Sequence, residues 1–149
     1  MANSRAARLA PVVEMAERAE REAARQMAHM QGLLAKAEAQ LGELERYRAD
    51  YQQQWISEGS KGVSGQWLMN YQHFLNQLET AVGQQRQSLA WHQNNLNRAR
   101  ETWQQAYARV EGLRKLVQRY IDEARQLEDK REQKLLDELS QRLPRQDPY

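Results

Sequence analysis

Apolar residues recur in alternating steps of four and three along two long stretches of the chain. From Leu9 the steps fall on Val13, Ala16, Glu20, Ala23, Met27, Met30, Leu34, Ala37, Leu41, Leu44, Arg48, Tyr51 and Trp55, where Glu20 and Arg48 break the stripe. From Leu68 they fall on Tyr71, Leu75, Leu78, Val82, Gln85, Leu89, His92, Leu96, Ala99, Trp103, Ala106, Val110, Leu113, Val117, Tyr120, Ala124 and Leu127, where Gln85 and His92 are polar. A repeat kept over this many turns, with charges on the remaining faces, is the pattern of a left-handed coiled coil. Between the stretches lies Ser57-Glu58-Gly59-Ser60-Lys61-Gly62-Val63-Ser64-Gly65, whose three glycines make helix continuation costly. The pattern predicts an all-α protein, a long antiparallel two-helix coiled coil forming one domain over residues 1–149. Helix 1 is expected over about 5–56, a Gly/Ser loop over 57–65, helix 2 over about 66–143, and a C-terminal tail over 144–149. Ser60 and Ser64 are candidate N-caps for helix 2. Helix 1 can start with Pro11 in its first turn, where the missing N–H costs little, or a turn earlier after Ser4. Pro144 stops helix 2 at or just before Leu143.

The two repeats differ in length. An antiparallel pairing sets Tyr51 beside Tyr71, Leu44 near Leu78, Leu34 near Leu89, Met27 near Leu96 and Val13 near Val110, with Ala16, Ala19 and Ala23 opposite Trp103 and Tyr107. Leu9 then runs out opposite about Leu113, so helix 2 extends beyond helix 1. Leu116, Val117, Tyr120, Ile121, Leu127, Leu135, Leu136 and Leu139 are left with nothing in the chain to cover them. Past Leu127 the spacing moves towards four and the stripe rotates around the helix, which alters the supercoil locally. A lone helix gains little from propensity, so this end frays, self-associates or meets another molecule. At the loop end the stripe is wide and aromatic, with Tyr47, Tyr51, Trp55, Trp67, Tyr71 and Phe74. Tyr51, Trp55 and Tyr71 lie in register and are expected to join the helices. Tyr47 and Phe74 sit one position off the seam and are expected to be partly exposed, as contact anchors are.

Composition narrows the chemistry. The chain is 40% hydrophobic and 28% charged with a net charge of +2, and its basic residues are interleaved with acidic ones, as in Glu128-Asp129-Lys130-Arg131-Glu132. Sequence-independent nucleic-acid binding requires clustered Lys and Arg and is not expected. The absence of Cys removes disulfides, thiolate metal sites and Cys nucleophiles. There is no phosphate-binding G-x-x-x-x-G-K-[ST] loop, no H-E-x-x-H and no Ser elbow, and His29, His73 and His92 are scattered. No catalytic residue, cofactor or metal site is expected, and the chain is read as not an enzyme. Residues 1–10 lack an apolar core followed by a cleavage site, and no apolar run is long enough to span a bilayer. A cytoplasmic protein without direct membrane insertion is expected.

Tyr47-x-x-x-Tyr51 near the end of helix 1, the Gly/Ser loop, and then Trp67-Leu68-Met69-Asn70-Tyr71-Gln72-His73-Phe74-Leu75 with Leu78-Glu79 resemble the flagellar type III export protein FliJ family. The similarity in order, length and loop position covers nearly the whole chain, and the Trp…Asn-Tyr-Gln-x-Phe segment is its most specific part. The resemblance implies an antiparallel coiled coil similar to the central stalk subunit of rotary ATP synthases. It implies a monomer that binds the hexameric export ATPase and promotes its assembly and activity. Further implied partners are the export gate membrane protein and the export chaperones, with peripheral association at the inner membrane of the flagellar base. By position, the gate-contacting face falls on Gln40, Leu44, Tyr47, Tyr51, Phe74, Leu78 and Ala81, and Gln85 stands where His is implied. By analogy with the rotary stalk, Tyr120, Leu127, Leu135 and Leu139 face the inside of the ATPase ring. The alternative is a structural or self-associating coiled-coil adaptor without ATPase coupling.

Overall fold

The computed structural model describes residues 4–143. It contains two α-helices, α1 (Arg5–Gly59) and α2 (Gly65–Arg142), and no strand among the described residues. The fold is an all-α helical hairpin. The C-terminal tail expected over 144–149 lies outside the described residues.

Both helices begin on a serine cap. The Ala7 N–H donates to Ser4 Oγ at 3.0 Å and the Trp67 N–H to Ser64 Oγ at 3.1 Å, each satisfying one of the orphan donors of a first turn. Ser60 takes a different role, with its hydroxyl donating to the Ser57 carbonyl at 2.8 Å. The turn closes through Lys61 N–H to the Glu58 carbonyl and Gly62 N–H to the Gly59 carbonyl. Gly62 has φ +81°, where a Cβ would be strained, so the position needs glycine even though space around it is open.

The chain divides into two compact units. The first joins residues 21–104 through the turn. Cross-helix partners fall on α1 as they rise on α2, from Trp55 with Trp67 and Tyr51 with Tyr71 to Arg48 with Glu79 and Gln40 with Gln85, which fixes the antiparallel sense. Its seam buries Ala23, Leu34, Ala37, Tyr71, Leu78, Val82 and Leu96. Every one of these is a position of the four-three repeat. Paired helices bury one stripe each, so much of the remaining surface is polar or charged. Arg48 stands in the seam but is not stranded there, because its guanidinium reaches outward to Glu79 at 3.2 Å. Glu45 and Arg86 form a second bridge on that side at 3.2 Å.

The other unit joins residues 4–20 with 105–143. Ala16 and Val110 are its buried centre, while Ala19 is exposed, because position 19 lies between the seam positions 16 and 20. Glu17 approaches Arg114 at 3.9 Å. The expectation that Leu116, Val117 and Tyr120 are uncovered is corrected. α1 starts at Arg5, a turn before Leu9, and these three residues are half-buried. The Arg5 guanidinium lies over the Tyr120 ring at 4.0 Å and bridges to Glu123 at 3.7 Å. From Ile121 onward every described residue of α2 is exposed.

Candidate interaction surfaces

Two surfaces stand out, one in each unit. The first is built on the aromatic end of the hairpin. Steps of three and four from Tyr51 and Tyr71 bring rings from both helices to one level, where they stack. Tyr51 lies 4.7 Å from Tyr71 at an interplanar angle of 7°, and Tyr71 continues to Trp55 at 4.5 Å and to Trp67 at 5.6 Å. Trp55 and Trp67 close the column at 5.4 Å. Tyr71 is 6% exposed, and burial, together with the neighbouring Tyr51, pushes its phenol above the usual value near 10. The seam at this level differs from the repeat read in the sequence. Trp67, one step of four before Tyr71 and so on the same helix face, occupies it and stacks on Trp55, and Leu68 is left 42% exposed.

Phe74 and Tyr47 form the outer edge of this column. Phe74 meets Tyr51 edge-on at 4.7 Å and Tyr47 at 6.1 Å, and Tyr47 is 53% exposed. The residues expected to face the export gate gather here on one side of the hairpin. Gln40, Leu44, Tyr47 and Tyr51 follow one another down α1, and Phe74, Leu78 and Ala81 down α2. Leu44, Tyr51, Phe74 and Ala81 are half-buried, Gln40 is exposed, and Leu78 is buried among the core residues. Gln85 extends the row. Its side-chain amide donates to the Ala37 carbonyl and to Gln40 Oε1, each at 3.2 Å, so a polar seam residue is satisfied across the helix pair. Positions 62–78 carry no Asp, Glu, Lys or Arg in a chain that is 28% charged. Charge depletion with aromatic enrichment marks the centre of protein–protein interfaces.

The second surface is the outer part of α2 in the other unit. Leu127, Leu135 and Leu139 are 58%, 56% and 48% exposed, and Ile121, Leu136 and Leu143 are exposed beside them. Tyr120, grouped with these leucines in the sequence, does not share their environment, since it lies under Arg5. Residues 121–142 rise about 33 Å at 1.5 Å per residue, which gives the stripe the length of a binding surface.

Some exposed residues gave no signal in the repeat. Ile56, Met69 and Trp91 are 64%, 69% and 62% exposed and lie off the seam. Arg5 carried no apolar signal at all; only its position one turn before Leu9 could have pointed to it. Seam residue His92 has an Nδ1 that is buried without a hydrogen-bond partner and packs edge-on to Trp91 at 5.1 Å. Among the described residues no three His, Asp or Glu side chains gather as metal ligands, and no helix is long and apolar enough to cross a membrane.

A family model described as flagellar FliJ protein matches residues 4–148. The flagellar FliJ protein of Escherichia coli (strain K12) is 31% identical over 140 residues, covering 94% of this chain and 95% of that protein. The flagellar FliJ protein of Salmonella typhi is 28% identical over 135 residues, covering 91% and 92%.

Proposed function

Because the chain belongs to the flagellar FliJ family and is a component of flagellar export, we propose that it acts as a stalk-like, non-enzymatic activator of the hexameric export ATPase. In this reading it promotes assembly and turnover of the ring and couples the ring to the membrane export gate and to export chaperones. It works as a cytoplasmic monomer held peripherally at the inner membrane of the flagellar base. The observation that carries the proposal is the bare leucine stripe Leu127, Leu135 and Leu139. A solvated helix does not need three leucines about half exposed within four turns, and contiguous exposed apolar surface marks an interaction site. The ring's inner wall is the partner assigned to this stripe, and the gate is the partner assigned to Gln40, Leu44, Tyr47, Tyr51, Phe74, Leu78 and Ala81. Within that set, Tyr47 and Phe74 make direct contact, while Leu78 supports them from the core.

The test replaces Leu127, Leu135 and Leu139 by Ser together. These side chains make little contact within the chain, so helicity and melting stay close to the parent. Stimulation of the cognate export ATPase is expected to fall at least tenfold in potency. Full stimulation by the triple variant would sink the assignment. A stable parent dimer in sedimentation, dissociated by the same substitutions, would favour the self-associating adaptor instead.

A further inference from the structure

We propose that residues 4–10 form a strap, hinged at Pro11, that covers part of the ring-facing stripe and detaches when the ring engages it. The inference rests on the assignment of that stripe to the export ATPase, but the strap itself is a property of the free chain.

Three observations meet here. Pro11 lies inside α1, in its second turn, after Arg5. It has no N–H, so the Ala7 carbonyl receives no bond from position 11, and the pyrrolidine ring crowds that carbonyl. The segment before Pro11 is therefore joined to the rest of α1 by a weakened ladder. It is held by the Ser4 cap on Ala7, by the Arg5 clasp on Tyr120 and Glu123 at 4.0 and 3.7 Å, and by the packing of the half-buried Ala6 and Leu9. Finally, the groove beneath the strap is continuous with the open surface, since Ser4 and Arg5 line it together with Tyr120, Ala124 and Leu127. With the strap closed the stripe begins at Ile121. With the strap open it begins about one turn earlier, at Tyr120 and Val117.

The sequence offers the chain two helix starts, and both are physically sound. Starting after Ser4 gains a side-chain cap and the clasp but carries a proline in the interior. Starting with Pro11 in the first turn removes that defect, because a first-turn residue needs no N–H partner. An element with two such starts is bistable, and a partner that binds Tyr120 and Val117 better than Arg5, Ala6 and Ala10 of the strap do shifts it towards the open form.

Hydrogen exchange on the full chain tests the strap, with Arg5→Ala and Pro11→Ala as opposed perturbations. Arg5→Ala removes the clasp, and Pro11→Ala restores the missing ladder bond. Arg5 and Ala6 begin the helix without amide partners, so the readout is residues 7–10, where exchange is expected to slow about tenfold in Pro11→Ala and to quicken several-fold in Arg5→Ala, with residues 13–20 unchanged. If Pro11→Ala leaves exchange over 7–10 unaltered, there is no hinge and the proposal is overturned. With the cognate export ATPase added, Arg5→Ala should reach half-maximal stimulation at about one third of the parent concentration and Pro11→Ala at about three times it. Equal potency of all three proteins, with the exchange order as expected, overturns the strap's role in ring binding. No stimulation by any of them instead refutes the ATPase assignment and leaves the hinged strap standing on its exchange data.

Discussion

Tyr71→Ala separates the core of the aromatic end from its rim. Tyr71 is 6% exposed and stacks against Tyr51, Trp55 and Trp67 at 4.7, 4.5 and 5.6 Å, so its removal opens a cavity that three large rings border. Truncating a buried aromatic of this kind costs about 3–5 kcal/mol. Tyr47 is 53% exposed and makes one edge contact, with Phe74 at 6.1 Å. Its replacement by Ala loses that pair and little else, about 1 kcal/mol. The expected difference is at least about 2 kcal/mol. Urea unfolding followed by circular dichroism and by tryptophan emission measures it. With a slope of about 2 kcal/mol per molar, Tyr71→Ala lowers the midpoint by roughly 2 M and Tyr47→Ala by roughly 0.5 M. Gate binding should show the reverse order, with Tyr47→Ala losing affinity while keeping its fold. If Tyr47→Ala destabilises as much as Tyr71→Ala, Tyr47 is core and the division fails.

Gln85→Leu replaces a seam amide by a seam apolar residue, and at about 1 kcal/mol of gained burial the melting temperature should rise about 2–4 °C; a fall would show that the bonds to Ala37 and Gln40 outweigh burial. Glycines 32 and 83 sit inside helices with nothing within 4 Å of an added Cβ. Gly32→Ala and Gly83→Ala should each stabilise by about 0.5–1 kcal/mol, whereas Gly62→Ala, at φ +81°, should cost about 1–2 kcal/mol; thermal melts of the three variants check both signs. The raised phenol of Tyr71 implies that the neutral form is favoured in the folded state. Its contribution is present below the usual value near 10 and is lost as pH rises through the higher folded value. Phenolate absorbance should show one tyrosine titrating late, and Tyr71→Phe should remove that late step and lessen the alkaline loss of stability.

The four-three spacing was enough to find both helices and the buried set, because a coiled-coil seam is written directly into the order of apolar residues. Ala23, Leu34, Ala37, Leu78, Val82, Leu96 and Val110 follow from it without any knowledge of contacts. Its failures lie where something other than periodicity decides. Leu68 continues the repeat, yet Trp67 takes the seam because ring stacking with Trp55 outweighs one step of register. Tyr120 fits the uncovered stripe in the sequence, yet a charged residue covers it, and an arginine lying over a ring leaves no trace in a hydrophobic pattern. Gln85 was legible as a polar break but its partner was not, since the Ala37 carbonyl belongs to the backbone. The two candidate surfaces were legible as residues and less so as geometry. Tyr47 and Phe74 meet at the rim, while Leu78 from the same set is enclosed.

Assignment of the two surfaces to different partners is tested directly by site-specific photocrosslinking. A photoreactive residue at Leu135 should capture the export ATPase and one at Phe74 the export gate, with each position failing on the other's partner. Capture of the ATPase at Phe74 and of the gate at Leu135, or of a second copy of the chain at Leu135, would contradict it.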